Sequence, residues 1–254
     1  MVESKGSKFT FPLALQLLTV FRLPVNTMVD SESLANSMAW FPVVGLLIGL
    51  VLAGIWYFLS PFLHPLFVSL LVVVSLTVIT RGLHLDGLSD TIDGLGGGYT
   101  REKRLEIMKD SHIGAFGVIA IVFAILFKVI TIYEIPQNVR LSVLIFFPML
   151  SRFIMVLVAW KCPYARREGG LGQDYVDLLK TRTLIIAFIT TLLLGLMILS
   201  YTGLILAIVI MGVAFGFSVF FNKTLGGVTG DVLGATNEVC EILALSLSLV
   251  LPFH

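Results

Sequence analysis

The stretch MAWFPVVGLLIGLVLAGIWYFL, residues Met38–Leu59, decides the fold class because it runs for 22 residues without a charge. A helix that crosses the hydrocarbon core of a bilayer needs about 20 mostly apolar residues. Of the 254 residues in the chain, 57% are hydrophobic and 13% are charged, whereas soluble domains carry about 25% charged residues. This composition excludes a soluble globule, a disordered chain and a disulfide scaffold. It predicts an all-α, polytopic integral-membrane helical bundle.

Six further apolar segments extend this pattern and predict about seven transmembrane helices. They are Pro65–Thr80, Ile113–Ile132, Leu141–Ala159, Thr183–Ser200, Leu204–Phe221 and Val239–Phe253. The apolar stretch Phe9–Leu23 has no signal-peptide cleavage pattern, so it predicts either an N-terminal interfacial helix or an eighth helix packed on the bundle. We therefore expect a single membrane domain over 1–254, with a cytoplasmic arm and interfacial helix over 1–37 and the bundle over 38–253.

Lysine and arginine are distributed unevenly between the segments that connect the spans. The N-terminal arm and the segments after the second, fourth and sixth spans carry nearly all of them, whereas Arg140 lies on the opposite side. Because cytoplasmic loops carry an excess of Lys and Arg, the N-terminus is predicted to be cytoplasmic and His254 to lie outside. The net charge of +1 gives no global basic field that favours nucleic acid as a partner.

The stretch His84-Leu-Asp-Gly-Leu-Ser-Asp-Thr-Ile-Asp-Gly94 contains three closely spaced carboxylates. On a helix, Asp86, Asp90 and Asp93 span roughly 60° of arc and share one face. Like charges on one face repel each other, and a bridging cation removes that repulsion. Magnesium prefers oxygen ligands and uses one or two carboxylates together with substrate phosphates. The stretch therefore predicts a Mg²⁺ site.

A second acidic cluster lies in the glycine-rich stretch Gly226–Glu241. Glu238 and Glu241 fall at the start of the last predicted span, where one interpretation is that they stabilise the helix N-terminus. Together with Asp231 they exceed what capping requires. Glycines such as Gly227 also allow the backbone to approach a ligand closely.

The remaining candidates have two interpretations each. Asp110 and Ser111 either cap the third span or bind substrate, and Lys109 either pairs with a phosphate or lies on the surface. Arg152 interrupts an apolar span at a cost of about 2.5–3.5 kcal/mol, so we expect it to face the interior and meet a carboxylate or a phosphate. His84 is interpreted as a hydrogen-bonded support or as a group that titrates near neutral pH.

The loop Tyr164–Gly172 is basic and either holds an anionic substrate or enforces topology. Carboxylates and basic residues at one cytoplasmic face suit a phosphate-bearing substrate, because phosphoryl transfer depends on positioning and on electrostatic stabilisation. The residues alone therefore suggest a membrane transferase that displaces a nucleotide or a diphosphate.

Four stretches of the chain resemble the motifs of the adenosylcobinamide-GDP ribazoletransferase family, the cobalamin synthases of prokaryotes. They are His84–Gly94, Leu105–Gly114, Tyr164–Gly172 and Leu225–Glu241. The resemblance implies that adenosylcobinamide-GDP is joined to α-ribazole or its 5′-phosphate, giving adenosylcobalamin or its 5′-phosphate and GMP. It also implies Mg²⁺ dependence and a multi-pass place in the lipid bilayer of the cytoplasmic membrane, with the active site cytoplasmic; a homo-oligomer is possible.

The motifs and the resemblance together assign roles to individual residues. We expect the metal ligands to be Asp86, Asp90, Asp93 and Asp231. We expect Glu238 or Glu241 to accept the ribazole proton, and Arg152 or Lys109 to hold the leaving GMP. We expect further substrate contacts from His84, Asp110, Ser111, Arg166, Gly227 and Thr229. Because His112 stands where many members carry arginine, a phosphate contact at that position would fall to Lys109.

Three alternatives share some of these features. A CMP-alcohol phosphotransferase would fit Asp90-x-x-Asp93-Gly94, but its following Ala-Arg is replaced by Gly97-Gly98. A prenyltransferase could use Asp86-x-x-x-Asp90, but a second aspartate-rich motif is missing. A cation-coupled transporter predicts carboxylates near the middle of the membrane within broken helices, whereas here they are expected at the cytoplasmic ends.

Overall fold

The computed structural model describes residues 10–23, 29–166, 168–170 and 172–251, and this part of the chain is helical. Its helices are α1 (Thr10–Leu18), α2 (Ser31–Ser37), α3 (Phe41–Leu59), α4 (Pro65–Ile79), α5 (Leu83–Gly97), α6 (Arg101–Ile107), α7 (Ala115–Glu134), α8 (Gln137–Lys161), α9 (Gln173–Asp177), α10 (Thr181–Leu225) and α11 (Gly230–Leu247). A 3₁₀ turn joins α2 to α3. The described residues form no β-strand beyond one isolated bridge between Tyr164 and Val228, which confirms the all-α class.

Four helices in the described part of the chain are long and apolar enough to cross a membrane. They are Ser31–Leu59 (α2 and α3 together), Ala115–Glu134, Gln137–Lys161 and Thr181–Leu225. The pair α4 and α5 passes the same test only when taken together, with an 87° bend between the two helices. The count of seven spans is therefore not confirmed, because α4 is short and α11 carries three carboxylates.

Helix α10 is a hairpin of two helical arms. A straight helix of 45 residues would be about 67 Å long, about twice the thickness of a bilayer core. Ser200 interrupts it with φ 53° and ψ −142°. A Cβ on Gly203 would lie only 2.8 Å from the carbonyl oxygen of Gly195, so the second arm returns along the first. The two arms correspond to the predicted segments Thr183–Ser200 and Leu204–Phe221.

Helix α8 lies at the centre of the bundle, and small residues allow α3 to approach it closely. A Cβ on Gly45 would lie 2.3 Å from the carbonyl oxygen of Pro148, and one on Gly49 would lie 2.4 Å from that of Ile145. Close backbone contact of this kind is typical of helices that pack in membranes. On the outside of the bundle, apolar side chains such as Phe123 are exposed, as expected for a surface that faces lipid.

The two ends of the bundle differ in chemistry. At one end, the His64 and Tyr133 rings stack 6.2 Å apart, and Arg140 lies over the Trp56 ring. The other end gathers the segments that carry most of the basic residues, as the sequence predicted. Which end faces the cytoplasm stays a prediction, and the predicted positions of Lys5, Lys8 and His254 lie outside the described residues.

Helix α1 packs on the bundle through Leu13, Ala14 and Leu18, which are buried. The Arg81 guanidinium donates to the carbonyl oxygens at the end of α1, at 3.1 Å for Gln16 and 3.4 Å for Leu17. Of the two interpretations of Phe9–Leu23, packing on the bundle is therefore observed, while contact with the membrane interface stays a prediction. The helix is shorter than predicted, and Phe9 lies outside the described residues.

Candidate functional site

The site is built where α5 crosses α11. A Cβ on Gly87 would lie 2.7 Å from the carbonyl oxygen of Asp231, and one on Gly234 would lie 3.3 Å from the Cα of His84. Both glycines are helical, so their role is to let the two backbones touch. The crossing brings the first and second acidic stretches of the sequence together, as expected.

Three of the predicted metal ligands meet at this crossing. Asp86 and Asp231 line the same cavity, and the Asp90 carboxyl interacts electrostatically with both of them. Asp231 accepts hydrogen bonds from Arg166 Nη2 at 2.6 Å and from Thr229 Oγ1 at 3.2 Å. Arg166 therefore supplies positive charge where three carboxylates would otherwise repel each other.

Asp93, the fourth predicted ligand, points to a different neighbour. Its carboxylate accepts hydrogen bonds from the backbone N–H groups of Gly114 at 2.7 Å and Gly117 at 2.9 Å. These groups open α7, so Asp93 caps that helix from α5 and meets the positive end of its dipole. The three aspartates share one face of the continuous helix α5 as predicted, and Asp93 still interacts electrostatically with Asp90, but the Asp93 carboxylate is engaged by the start of α7.

Lys109, Asp110 and Ser111 lie in an exposed loop before α7. Asp110 Oδ1 accepts from the His112 backbone N–H at 3.0 Å and lies 2.6 Å from His112 Nδ1, and these bonds hold the pKa of Asp110 below its usual value. Lys109 forms an exposed ion pair with Glu168 and, by its hydrogen bond, lowers the pKa of that carboxyl. Capping of α7 falls to Asp93, whereas substrate contacts by the loop stay predictions.

Gly227 and Thr229 shape the backbone that leads into α11. Gly227 has φ +147°, and a Cβ there would lie 2.2 Å from the carbonyl oxygen of Pro163. The Thr229 hydroxyl caps α11 by accepting from the Val232 N–H at 3.2 Å. Both residues therefore have structural contacts beside Asp231, and their predicted contact with substrate remains untested.

A buried ion network lies deeper in the bundle. Lys128 Nζ donates to Glu238 Oε2 at 2.7 Å and also to Glu241. Arg152 donates to the other oxygen of Glu241. All four side chains are at most 5% exposed, and two positive charges face two negative ones. Such balance is required of charges that are removed from water.

This network changes the interpretation of Glu238 and Glu241. Helix α11 begins at Gly230 rather than at Val239, because Gly230 and Gly234 adopt helical conformation. The two glutamates therefore lie two to three turns inside the helix instead of at its start. As placed, neither carboxylate reaches the cavity, so the contacts do not support a role as the base.

Arg152 faces the interior and meets a carboxylate, as the sequence predicted, but its partner is Glu241. Sequence reasoning missed two members of this network. Lys128 falls near one end of the predicted span Ile113–Ile132, and a lysine within an apolar span signals a buried carboxylate partner. Asn237, which donates to Glu241 Oε1 at 3.1 Å, gave no signal of its own.

His84 connects this network to the cavity. Its side chain is 1% exposed, and its Nδ1 lies 3.4 Å from Arg152 Nη2 and 3.2 Å from Asn237 Nδ2. Its Nε2 is buried and finds no partner within the described part of the chain. The cavity measures about 200 Å³ and is lined by Leu17, Leu18, Met38, Phe41, Leu83, His84, Asp86, Met155, Gly172, Tyr175, Gly230, Asp231, Leu233 and Gly234.

A separate groove of about 300 Å³ lies on the surface above α6. It is lined by Arg101, Glu102, Leu105, Glu106, Lys109, Ala165, Arg166 and Glu168. Arg166 contributes to this groove and also binds Asp231, so the groove adjoins the carboxylates. Arg101 holds the groove together by donating to the carbonyl oxygens of Leu225 at 2.7 Å and Ala165 at 2.9 Å.

The carboxylates at the cavity meet part of the coordination requirements of Mg²⁺. Among the described residues, no group of three or more His, Cys, Asp or Glu side chains is arranged to hold a metal ion. The cavity does present two carboxylates, Asp86 and Asp231, and Mg²⁺ is commonly bound by one or two carboxylates together with substrate phosphates. The donor set therefore fits an ion that arrives with a phosphate-bearing substrate rather than one held by protein alone.

These features define an all-helical protein of membrane type, with carboxylates from two helices beside one cavity at one end of the bundle. A model of the cobalamin-5-phosphate synthase family matches residues 10–249. The chain therefore belongs to the cobalamin-5-phosphate synthase family and is a transferase of cobalamin biosynthesis, in agreement with the resemblance of its motifs.

Individual relatives agree with the family match, and all three are named adenosylcobinamide-GDP ribazoletransferase. A protein of Syntrophobacter fumaroxidans is 41% identical over 93% of this chain and 96% of its own length. A protein of Desulforamulus reducens is 38% identical over 94% of this chain and 95% of its own length. A protein of Geotalea daltonii is 36% identical over 92% of this chain and 94% of its own length. No solved structure matches the chain.

Proposed function

We propose that this enzyme joins adenosylcobinamide-GDP to α-ribazole or its 5′-phosphate and releases GMP. The convergence of Asp86, Asp90 and Asp231 beside Arg166 carries the proposal. Carboxylates beside a cavity, with a guanidinium paired to one of them, suit a substrate that brings a diphosphate. The names of the relatives support the particular pair of substrates.

We infer that Asp86 and Asp231 hold Mg²⁺ together with the substrate diphosphate, and that Asp90 contributes negative charge beside them. When bound, the ion supplies neutralisation of charge on the bridging and leaving phosphate oxygens. Arg166 pairs with Asp231 and also lines the groove above α6. It is therefore placed to transfer its contact to a phosphate oxygen when a cation reaches Asp231.

In the proposed reaction, the ribazole hydroxyl oxygen forms a bond to the phosphorus next to the cobinamide arm. The bond from that phosphorus to the oxygen bridging to the guanylate phosphate breaks, and GMP leaves with the electron pair. A carboxylate accepts the hydroxyl proton. Asp90 is better placed for this than Glu238 or Glu241, because it lies beside Asp86 and Asp231 and has no salt-bridge partner among the described residues.

The cavity walls support binding of an apolar, flat group next to the phosphates. Besides Asp86 and Asp231, the cavity is lined by apolar side chains of α1, by Phe41 of α3, by Met155 of α8 and by Tyr175 of α9. Burial raises the pKa of Tyr175 to about 12, so its phenol stays neutral. We propose that the base of the ribazole occupies this apolar side, which places its ribose hydroxyls toward the carboxylates.

The proposal is tested with purified protein in lipid nanodiscs, by following GMP and corrinoid product after adding both substrates and Mg²⁺. We expect Asp86→Asn and Asp231→Asn each to lower turnover at least about 100-fold, since each removes a proposed ligand of the ion that neutralises charge on the reacting phosphates. Removal of divalent ions with a chelator should abolish turnover, and added Mg²⁺ should restore it.

The matched control is Glu134→Gln, which neutralises a carboxylate at the opposite end of the bundle and should leave turnover unchanged. Full turnover by the chelated enzyme, or by both aspartate variants, would contradict the metal site. Absence of any GMP release by the unmodified protein would contradict the reaction itself.

A further inference from the structure

We propose that His84 is a neutral hydrogen-bond donor that contacts a phosphate oxygen of the substrate through Nε2–H, and that Asn237 and Arg152 are positioning residues that fix this tautomer. The inference rests on the proposed function for the identity of the substrate. It rests on the geometry around the imidazole for the role of the residue.

The neighbours of His84 Nδ1 are both donors. Asn237 Nδ2 lies 3.2 Å from Nδ1, and Arg152 Nη2 lies 3.4 Å from it. The orientation of the Asn237 amide is fixed because the same nitrogen donates to Glu241 Oε1 at 3.1 Å. A nitrogen that faces two N–H donors must accept, so the hydrogen of the neutral imidazole lies on Nε2.

The side chains of Arg152 and Asn237, which contact His84, are themselves bound to Glu241. Glu241 binds Arg152 and Asn237 through one oxygen and Lys128 through the other, and Lys128 also binds Glu238. These side chains are buried, and their charges balance. Hydrogen bonds and ion pairs to the neighbours of a functional imidazole fix the orientation of its ring.

The cavity that His84 lines is a place where an anion is favoured. His84 lines the cavity together with Gly230 and Asp231, which open the 18-residue helix α11, and the N-terminus of a helix attracts anions. Nε2 is buried without a partner in the described part of the chain, which costs free energy unless a ligand accepts its hydrogen. Asp86 and Asp231 line the same cavity, so the anion must arrive with a cation, as a magnesium-bound phosphate does.

A neutral donor in this position stabilises charge that develops on a non-bridging phosphate oxygen without competing for the proton of the attacking hydroxyl. Loss of one preorganised donor of this type lowers kcat by about 10²–10³-fold. The effect should appear in kcat rather than in KM, because the contact strengthens as charge develops.

The activity test compares two substitutions that divide the functions of the imidazole. In His84→Gln, the amide nitrogen reaches the position of Nε2 and keeps a donor there, whereas in His84→Asn the amide reaches only the position of Nδ1. We expect His84→Asn to lower kcat about 100-fold or more with KM within about threefold, and His84→Gln to recover at least a tenth of the original kcat. Thr236→Ala, which removes a hydroxyl that donates to the Val232 carbonyl of its own helix, is the control and should stay active.

A second readout does not depend on turnover. In nitrogen-15 NMR of protein labelled at histidine, His84→Gln identifies the His84 resonances among those of the four histidines. We expect Nε2 to carry the hydrogen, and its resonance to move when pyrophosphate and Mg²⁺ are added together. Asn237→Asp replaces the donor beside Nδ1 with an acceptor, so the hydrogen should shift to Nδ1 and kcat should fall.

Equal kcat for His84→Asn and the unmodified enzyme, a hydrogen found on Nδ1, or an Nε2 resonance unmoved by magnesium pyrophosphate would each overturn the proposal. If the unmodified protein forms no corrinoid product, the proposed function fails, and the tautomer and the pyrophosphate response still decide the role of His84. If His84→Asn does not fold, the tautomer and the pyrophosphate response measured by NMR, together with the kcat of His84→Gln, decide the role of His84.

Discussion

Asp93 illustrates how one carboxylate in a motif can have a different task from its neighbours. It shares a helix with Asp86 and Asp90, yet its oxygens accept two backbone N–H groups at the start of α7. A Cβ on either Gly114 or Gly117 would lie 2.3 Å from an Asp93 oxygen, so the absence of side chains at both glycines is what admits the carboxylate. We interpret Asp93 as the residue that fixes α7 against α5.

Asp93→Asn should therefore act on stability. Loss of the charge at the helix N-terminus and of one good acceptor is expected to cost about 1–2 kcal/mol, measured as a lower thermal midpoint in detergent. The Mg²⁺ concentration that gives half-maximal turnover should be unchanged. Asp86→Asn should show the opposite pattern, with a raised Mg²⁺ requirement and an unchanged midpoint; a raised requirement in Asp93→Asn would return Asp93 to the predicted metal ligands.

At the scale of elements, the crossing of α5 and α11 decides whether the acidic stretches meet. Gly87→Ala places a methyl group 2.7 Å from the carbonyl oxygen of Asp231, which forces the start of α11 away. We expect a loss of about 1–3 kcal/mol in stability and a larger fractional loss of turnover, because Asp231 moves with the backbone.

The control for this substitution is Gly54→Ala in α3, where a Cβ would meet nothing within 4 Å. That change should be neutral or stabilise the protein by up to about 1 kcal/mol, since alanine is the better helix former. If Gly87→Ala behaved like Gly54→Ala in both stability and turnover, close contact at the crossing would not be needed.

At the hairpin turn of α10, a substitution by glycine is expected to increase the stability of the protein. Ser200 adopts φ 53° and ψ −142°, a conformation that favours glycine and costs other residues about 1–3 kcal/mol. Ser200→Gly should therefore raise the thermal midpoint, whereas Ser246→Gly inside α11 should lower it, because glycine is a poorer helix former than serine. A lower midpoint for Ser200→Gly would contradict the hairpin conformation at this residue.

At the scale of the whole molecule, the ion network joins α7, α8 and α11 inside an apolar bundle. Lys128→Met leaves two glutamates facing one arginine, and Glu238→Gln leaves two cations facing one glutamate. Each change should cost about 3–5 kcal/mol, the usual effect of an unpaired buried charge. The double variant restores the balance, so its loss should be clearly smaller than the sum of the single losses; simple additivity would contradict coupling between the two residues.

The same network bears on the comparison of function classes. Carboxylates at the cytoplasmic ends of the spans were the sequence argument against a cation-coupled transporter, yet Glu238 and Glu241 lie inside the bundle, bound to Lys128 and Arg152. That argument is therefore weaker than the sequence indicated. Membership of the cobalamin-5-phosphate synthase family is what favours the transferase.

The membrane class, most helix positions and the family are predictable from the amino-acid sequence. These follow from properties that each segment carries alone: the length of an apolar run, the spacing of charges along one helix, and the identity of motif residues. The inward position of Arg152 was also predictable, because an arginine in an apolar span must avoid lipid.

Which carboxylates share a cavity depends on how the helices pack against each other. Periodicity defines the faces of one helix, but the rotation and crossing of neighbouring helices decide what each face meets. The contact of Gly87 with the Asp231 backbone brings the two acidic stretches together. The start of α7 binds the Asp93 carboxylate, and the cations of α7 and α8 pair with Glu238 and Glu241. These pairings join residues distant in the chain, and no local pattern encodes them.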